Sequence, residues 1–300
     1  MRRFRGAATS AVLWCSVLFL AGVTPPPSSA PVTDGPVLLA HHQPRPAAGP
    51  AAGTTSDNWA GYVQDGSQDG TFTGVGDTLV VPTAVTPTAG TGYQSDWVGI
   101  GGYDYDPRNA DTQSLIQAGV QMVVTTTDGK TRVAYEAWTE KLPGLEKRLK
   151  LMVKPGNTVA LTVQETAKNR WTATVDTLPT GRSISRTFRY RSTGLSAEAI
   201  EERPCLGHPT TCGGDTGDYA PLAQTSNVTF EPGFFTETAP GTPPVDEPLL
   251  GTVPQAALLQ LTMVEGSPEA TPVAVPSTAN TAEDGFTVAD GSTAPPPPSP

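Results

Sequence analysis

The apolar residues of this chain recur with the period of strands, not of helices. Apolar or β-branched side chains alternate with polar ones in short runs, a spacing of two that belongs to strands. The clear runs are Asn58–Gln64, Thr71–Val81, Ser95–Ile100, Ser114–Thr126, Thr131–Glu140, Thr158–Thr166, Trp171–Val175, Ser183–Tyr190, Ala197–Glu202, Ser226–Phe230 and Ala257–Val264. Gly, Pro and Asp turns separate them, and Asp128-Gly129 reads as a tight hairpin turn. Leu145–Val153 is the best helix candidate, although Pro143 and Pro155 bracket it closely. No internal repeat stands out. More than ten short strands without alternating helices predict an all-β fold, an antiparallel sandwich or barrel. Gly 31 and Pro 31 fill roughly a fifth of the 300 residues, below the about one quarter at which disorder-type compositions begin.

The two ends read differently. Arg2, Arg3 and Arg5 precede the mostly apolar Ala7–Val23 and then a Pro/Ser stretch, the order of a secretory signal peptide over residues 1–30. No later segment is apolar enough to span a membrane, so the mature protein is expected to be secreted and free of the membrane after signal cleavage. Residues 31–53 read as a linker or short pro-segment, 54–290 as one sandwich domain, and 291–300 as a Pro-rich tail. Nothing demands assembly, and a monomer is expected.

Composition excludes several chemistries. Lys+Arg 19 against Asp+Glu 29 gives a net charge of −10, a poor footprint for nucleic acid. The three histidines, His41, His42 and His208, cannot form a His-Glu-x-x-His zinc site. Asp128-Gly129-Lys130-Thr131 lacks the earlier glycine of a phosphate loop, Asp215-Thr216-Gly217 is a single copy, and no Gly-x-Ser-x-Gly elbow occurs. Any catalysis is expected to proceed without imidazole, metal or cofactor. Of the cysteines, Cys15 leaves with the signal. Cys205 and Cys212 are expected to form a disulfide in an oxidising compartment. The alternative, a metal site with His208, lacks a fourth ligand and the usual spacing.

Alternation also sorts side chains by face. In Ser114–Val124, Ile116, Ala118, Val120, Met122 and Val124 share an apolar face, so Gln117 and Gln121 point away from the core. The non-core faces of neighbouring runs carry Ser95, Trp97, Gly99 and Gly101; then Arg132, Glu136, Trp138 and Glu140; then Glu198, Ile200 and Glu202. A solvated outer face is one reading. Two tryptophans amid amides and carboxylates point instead to a ligand cleft.

At these residues the sequence resembles the glutamic peptidases, the eqolisin family. The similar segments are Ser56–Gly61, Val80–Pro82, Asp96–Gly102, Leu115–Val120, Tyr135–Glu140, Ala197–Pro204 and Asn227–Phe230, with Ala257–Val288 resembling the closing strands. The resemblance implies a two-sheet antiparallel β-sandwich, lectin (concanavalin A)-like, with a substrate cleft on one sheet. It implies a secreted acid endopeptidase acting on polypeptide substrates, with Gln117 and Glu202 as catalytic dyad and Trp97, Glu136, Trp138 and Glu140 lining the cleft. A one-residue slip to Glu201 would reach the opposite face. The sequence departs from the family where Gly101 replaces an Asp, Ala199 an aromatic, and Thr139 and Leu142 further aromatics. Glu136, standing where an Asp is common, is expected to reach toward the gap at Gly101. A peptide- or glycan-binding sandwich without catalysis is the alternative function. A glycosidase fits less well, because Glu136 and Glu140 lie about 13 Å apart along an extended strand, beyond the roughly 5–9.5 Å that such enzymes use.

Overall fold

The computed structural model describes residues 55–66, 71–86, 90–103, 114–178, 180–206, 219–238, 243–252, 256–266 and 270–299. The expected leader and linker, Cys15, Cys212 and all three histidines lie outside them. The described residues hold nineteen strands and no helix. In chain order these begin with β1 (Thr55–Ser56), β2 (Trp59–Gly66), β3 (Thr71–Val80), β4 (Ala84–Thr86), β5 (Gly90–Ile100), β6 (Ile116–Thr127) and β7 (Lys130–Lys141). Next come β8 (Lys147–Arg148), β9 (Thr158–Ala167), β10 (Arg170–Thr177), β11 (Arg182–Arg189), β12 (Ser196–Glu202) and β13 (Gln224–Thr225). The last are β14 (Val228–Phe230), β15 (Phe234–Thr238), β16 (Val245–Pro248), β17 (Ala256–Glu265), β18 (Thr271–Pro276) and β19 (Phe286–Asp290).

Two layers emerge from the pairing. One runs β17-β2-β12-β5-β6-β7-β8. The other runs β11-β10-β9-β3, where β3 continues both to β15-β16 and through β14-β19-β18 to β17. β17 serves both layers. Ala256–Leu261 pairs with β2 and Met263–Glu265 with β18. The sandwich is therefore one hydrogen-bonded sheet folded over on itself. Among the described strands every pair is antiparallel except β1–β17.

The core lies between the layers. The first contributes mainly small or branched residues, among them Ala60, Val98, Ile116, Ala118, Ala137, Ala197 and Ala199. The second answers with bulk, including Phe72, Leu79, Leu161, Trp171, Phe230, Phe235 and Phe286. Small against large lets the sheets interdigitate at interior density. Phe230 and Phe286 stack at 4.8 Å, with Tyr62 edge-on to Phe286 at 4.9 Å.

All eleven expected runs are strands. The expected helix is not formed. Lys147–Arg148 pairs with Trp138 and Thr139, and the Leu149 amide donates to the Ala137 carbonyl at 2.8 Å. Leu149, Leu151 and Val153 are buried while Lys150, Met152 and Lys154 face solvent, a period of two. Leu145, Leu149 and Met152 also satisfy helical spacing, which is why the segment misleads. Yet Leu145 and Met152 are exposed and anchor nothing.

Candidate active site

The outer face of the first layer carries the site, and its register orders the side chains into three cross-strand rows. The first reads Leu259, Val63, Glu198, Gly99, Gln117, Glu140. The second reads Leu261, Gly61, Ile200, Trp97, Gly119, Trp138, and the third Trp59, Glu202, Ser95, Gln121, Glu136. This face is not a solvated surface. Trp59, Val63, Trp97, Leu115, Trp138, Leu142, Ile200 and Leu261 form a second apolar cluster, and the amides and carboxylates of rows one and three sit beside it, fully or nearly buried except Glu136. The tryptophans need bare strand beside them. A Cβ on Gly119 would lie 2.7 Å from both Trp97 and Trp138, and one on Gly99 would lie 2.8 Å from Trp97.

Glu202 is clamped at both oxygens. Asn58 Nδ2 donates to Oε1 at 3.0 Å and Trp97 Nε1 to Oε2 at 2.7 Å. Asn58 is itself held in a turn, with its backbone amide and that of Trp59 donating to Ser56 Oγ. Sequence reading placed Asn58 inside a similar segment without giving it a task; no local signal pairs it with a residue 144 positions away. Trp138 Nε1 donates to Ser95 Oγ at 3.1 Å, and Trp59 meets Trp97 edge-on at 4.9 Å. In the first row Gln117 Nε2 donates to Glu140 Oε2 at 2.7 Å.

Gln117 and Glu202 thus share the outer face but not a row. Standard strand spacing and rise put their backbones about 10 Å apart across the sheet and about 13 Å along it. Gln117 is level with Glu198, and Glu202 is level with Gln121. Any joint action of Gln117 and Glu202 must be made at the side-chain ends, across the row of Trp97.

Other expected residues are redistributed by the same register. Glu136 does not approach Gly101. It lies in the third row, and Arg148 Nε contacts its Oε2 at 2.5 Å. Thr139 and Ala199 fall on the opposite face from Trp138 and Ile200, so neither shapes the cleft; Ala199 belongs to the sandwich core, while Leu142 joins the outer cluster. Cys205, following β12, is buried and disulfide-bonded, and its expected partner Cys212 lies outside the described residues. Among the described residues no His, Cys, Asp and Glu cluster has metal-site geometry.

Glu201 points into the sandwich, as the alternation requires. It lies opposite Asp96 in register, and Gln94 Nε2 donates to both carboxyl groups, at 3.2 Å to Asp96 and 3.3 Å to Glu201. The half-buried Asp290 completes a carboxyl trio and accepts from the Thr225 amide at 2.7 Å. Burial pushes Asp96 up to about 7 and Asp290 up to about 6. Burial, then repulsion from Asp290 and Asp96, raises Glu201 well above the carboxylate range.

Residues 57–242 match the model of the peptidase A4 family, a span that holds all three rows except Leu259 and Leu261. The chain belongs to the peptidase A4 family. Aspergillopepsin-2 of Aspergillus niger is 30% identical over 166 residues, covering 49% of this chain and 54% of that protein. Scytalidopepsin B of Scytalidium lignicola is 27% identical over 180 residues, covering 58% and 60%. The chain thus spans between half and two thirds of the length of these relatives. In fold it is similar to the crystal structure of scytalido-glutamic peptidase bound to a transition state analog inhibitor, with a TM-score of 0.54 and 21% identity over 78% of this chain and 98% of that one. Within this peptidase A4 family sandwich, Gly101 has a structural reason. Its φ is +83°, and a Cβ there would lie 2.4 Å from the Ser114 carbonyl oxygen.

Proposed function

We propose that this peptidase A4 family member is a secreted acid endopeptidase in which Gln117 and Glu202 hydrolyse peptide bonds. The observation that carries the reading is the clamp on Glu202. A buried carboxylate fixed at one oxygen by Asn58 and at the other by Trp97 is a positioned base, not a surface charge. Glu202 takes a proton from water as the oxygen adds to the scissile carbonyl, and later returns it to the departing amine nitrogen. The Gln117 amide orients that water and stabilises the oxyanion. An NH2 carries two hydrogens, so the contact with Glu140 fixes the amide plane without excluding a second donation. An ordinary glutamate, with a pKa of about 4.3, is a weak base, and the returned proton is most available in acid. Trp97 and Trp138 offer apolar walls to substrate side chains. The basic-then-apolar leader supports export, and a Cys205–Cys212 disulfide would brace the chain after β12.

The test is incubation with an acid-unfolded protein at about pH 3–5, a window bracketing the carboxylate range. New internal cleavages, insensitive to chelators and to serine-directed reagents, are expected. Release of sugar from a polysaccharide instead would assign the site to glycoside chemistry. The second reading, a peptide- or glycan-binding sandwich, draws on the missing Asp at Gly101, and saturable binding without turnover across this range would favour it.

A further inference from the structure

The third row contains a polar group that the proposed chemistry does not use. Gln121 is 1% exposed and lies two strands from Glu202 at the same level, with Ser95 between them. Neither its Nε2 nor its Oε1 meets a hydrogen-bond partner among the described residues. Its row neighbours are committed. Ser95 Oγ donates to the Val120 carbonyl and accepts from Trp138, and Glu136 is held by Arg148. On the far side of Glu202, the buried indole N–H of Trp59 likewise lacks a partner among the described residues. Buried polar groups are almost always hydrogen-bonded, and one kept without a protein partner carries a cost that a ligand can remove.

We infer that Gln121 binds the main chain of an extended polypeptide laid along the row through Glu202, with Trp59 receiving a carbonyl of the same chain beyond it. The inference rests on the peptidase reading for where substrate lies. A primary amide presents one acceptor and a donor pair, the complement of a peptide C=O and N–H, and reads no side chain. Such a contact favours substrates by length and extension, not by sequence. Glu202 and Gln121 lie in the same cross-strand row, with only Ser95 between them, so one extended segment along that row spans both.

The test uses the full chain with Gln121→Leu and Gln121→Glu, an octapeptide substrate at acid pH, and thermal unfolding in parallel. Gln121→Leu should raise KM at least tenfold, keep kcat within about threefold and leave Tm no lower. A protonated carboxyl keeps one donor and one acceptor, whereas a carboxylate only accepts. Gln121→Glu should therefore match the parent's KM at pH 3 and exceed it increasingly toward pH 6, a profile that a merely structural role would not produce. An unchanged KM in Gln121→Leu, or a KM ratio in Gln121→Glu that is flat with pH, overturns the assignment. Tryptophan fluorescence titration with the same peptide separates this inference from the peptidase reading. Glu202→Gln should bind it, and Glu202→Gln/Gln121→Leu at least tenfold more weakly, even if the parent cleaves nothing. Equal Kd values in the two variants, or no binding by Glu202→Gln, overturn the inference even if the parent cleaves.

Discussion

A glycine that cannot be anything else decides one residue-scale question. Restoring the carboxylate at Gly101 has to overcome both the left-handed backbone and the Ser114 carbonyl. Gly101→Asp should destabilise the protein by about 2–3 kcal/mol and leave cleavage no faster; a gain in rate with an unchanged Tm would contradict this account. Asn58 is the converse case, a side chain whose value is all in one contact. Asn58→Ala removes the donor to Glu202 Oε1. It should lower kcat roughly 10- to 100-fold, as loss of an orienting hydrogen bond does, with KM little changed. Steady-state kinetics beside a thermal melt separates that from unfolding. At this scale the faces of Gln117, Glu202, Trp97 and Trp138 were legible, because alternation alone assigns a face. The partners were not. Asn58 with Glu202, and Glu136 with Arg148, depend on register, which no local pattern carries.

At the scale of elements, period was the readable quantity and pairing was the hidden one. The eleven alternating runs became strands, but β15 and β16 (Phe234–Thr238 and Val245–Pro248) are short and partly exposed, without the alternation that marks the rest. They are strands because β3 and β15 supply neighbours. The Leu145–Val153 segment offers a direct check on period. In an extended chain Leu151 is a core residue and Met152 is not, so Leu151→Ala should cost about 2–4 kcal/mol and Met152→Ala about 0.5 kcal/mol or less. Similar losses at both positions in denaturant melts would point back to a helix. The opposite edge shows how an edge strand is protected: among the described residues β11 pairs only with β10, and Arg182, Arg186 and Arg189 stand exposed along it, charges that discourage edge-to-edge association.

For the molecule as a whole, the carboxyl trio of Asp96, Glu201 and Asp290 ties stability to acid. Asp96, Glu201 and Asp290 have folded pKa values above their ordinary ones, so between about pH 4 and 7 the native state holds more protons than the unfolded chain. Stability is then fully present below the ordinary carboxylate pKa and falls as pH rises through 6 and 7. Gln94 and the Thr225 amide are the polar groups facing the trio, and neither carries a compensating positive charge. The three carboxyls share this proton uptake, so the fall in stability belongs to the trio and not to any one member. Melts from pH 4 to 8 should show the fall, and Glu201→Gln should flatten it; a Tm that rises with pH would contradict the sign. The −10 net charge pointed away from nucleic acid but could not reveal that Asp96 and Glu201 lie inside the sandwich with the half-buried Asp290 beside them.

The proposed hydrolysis stands or falls with Glu202, clamped by Asn58 and Trp97, as its base. The most direct measurement is kcat/KM for an acid-unfolded protein, comparing the parent with Glu202→Gln at matched Tm. Gln keeps the shape and can still meet Trp97, but it cannot accept the proton of the attacking water. A loss of at least about a thousandfold is predicted, combining the roughly 10²–10⁴-fold worth of a positioned base with the failure to return its proton. Cleavage within tenfold of the parent would place the base elsewhere.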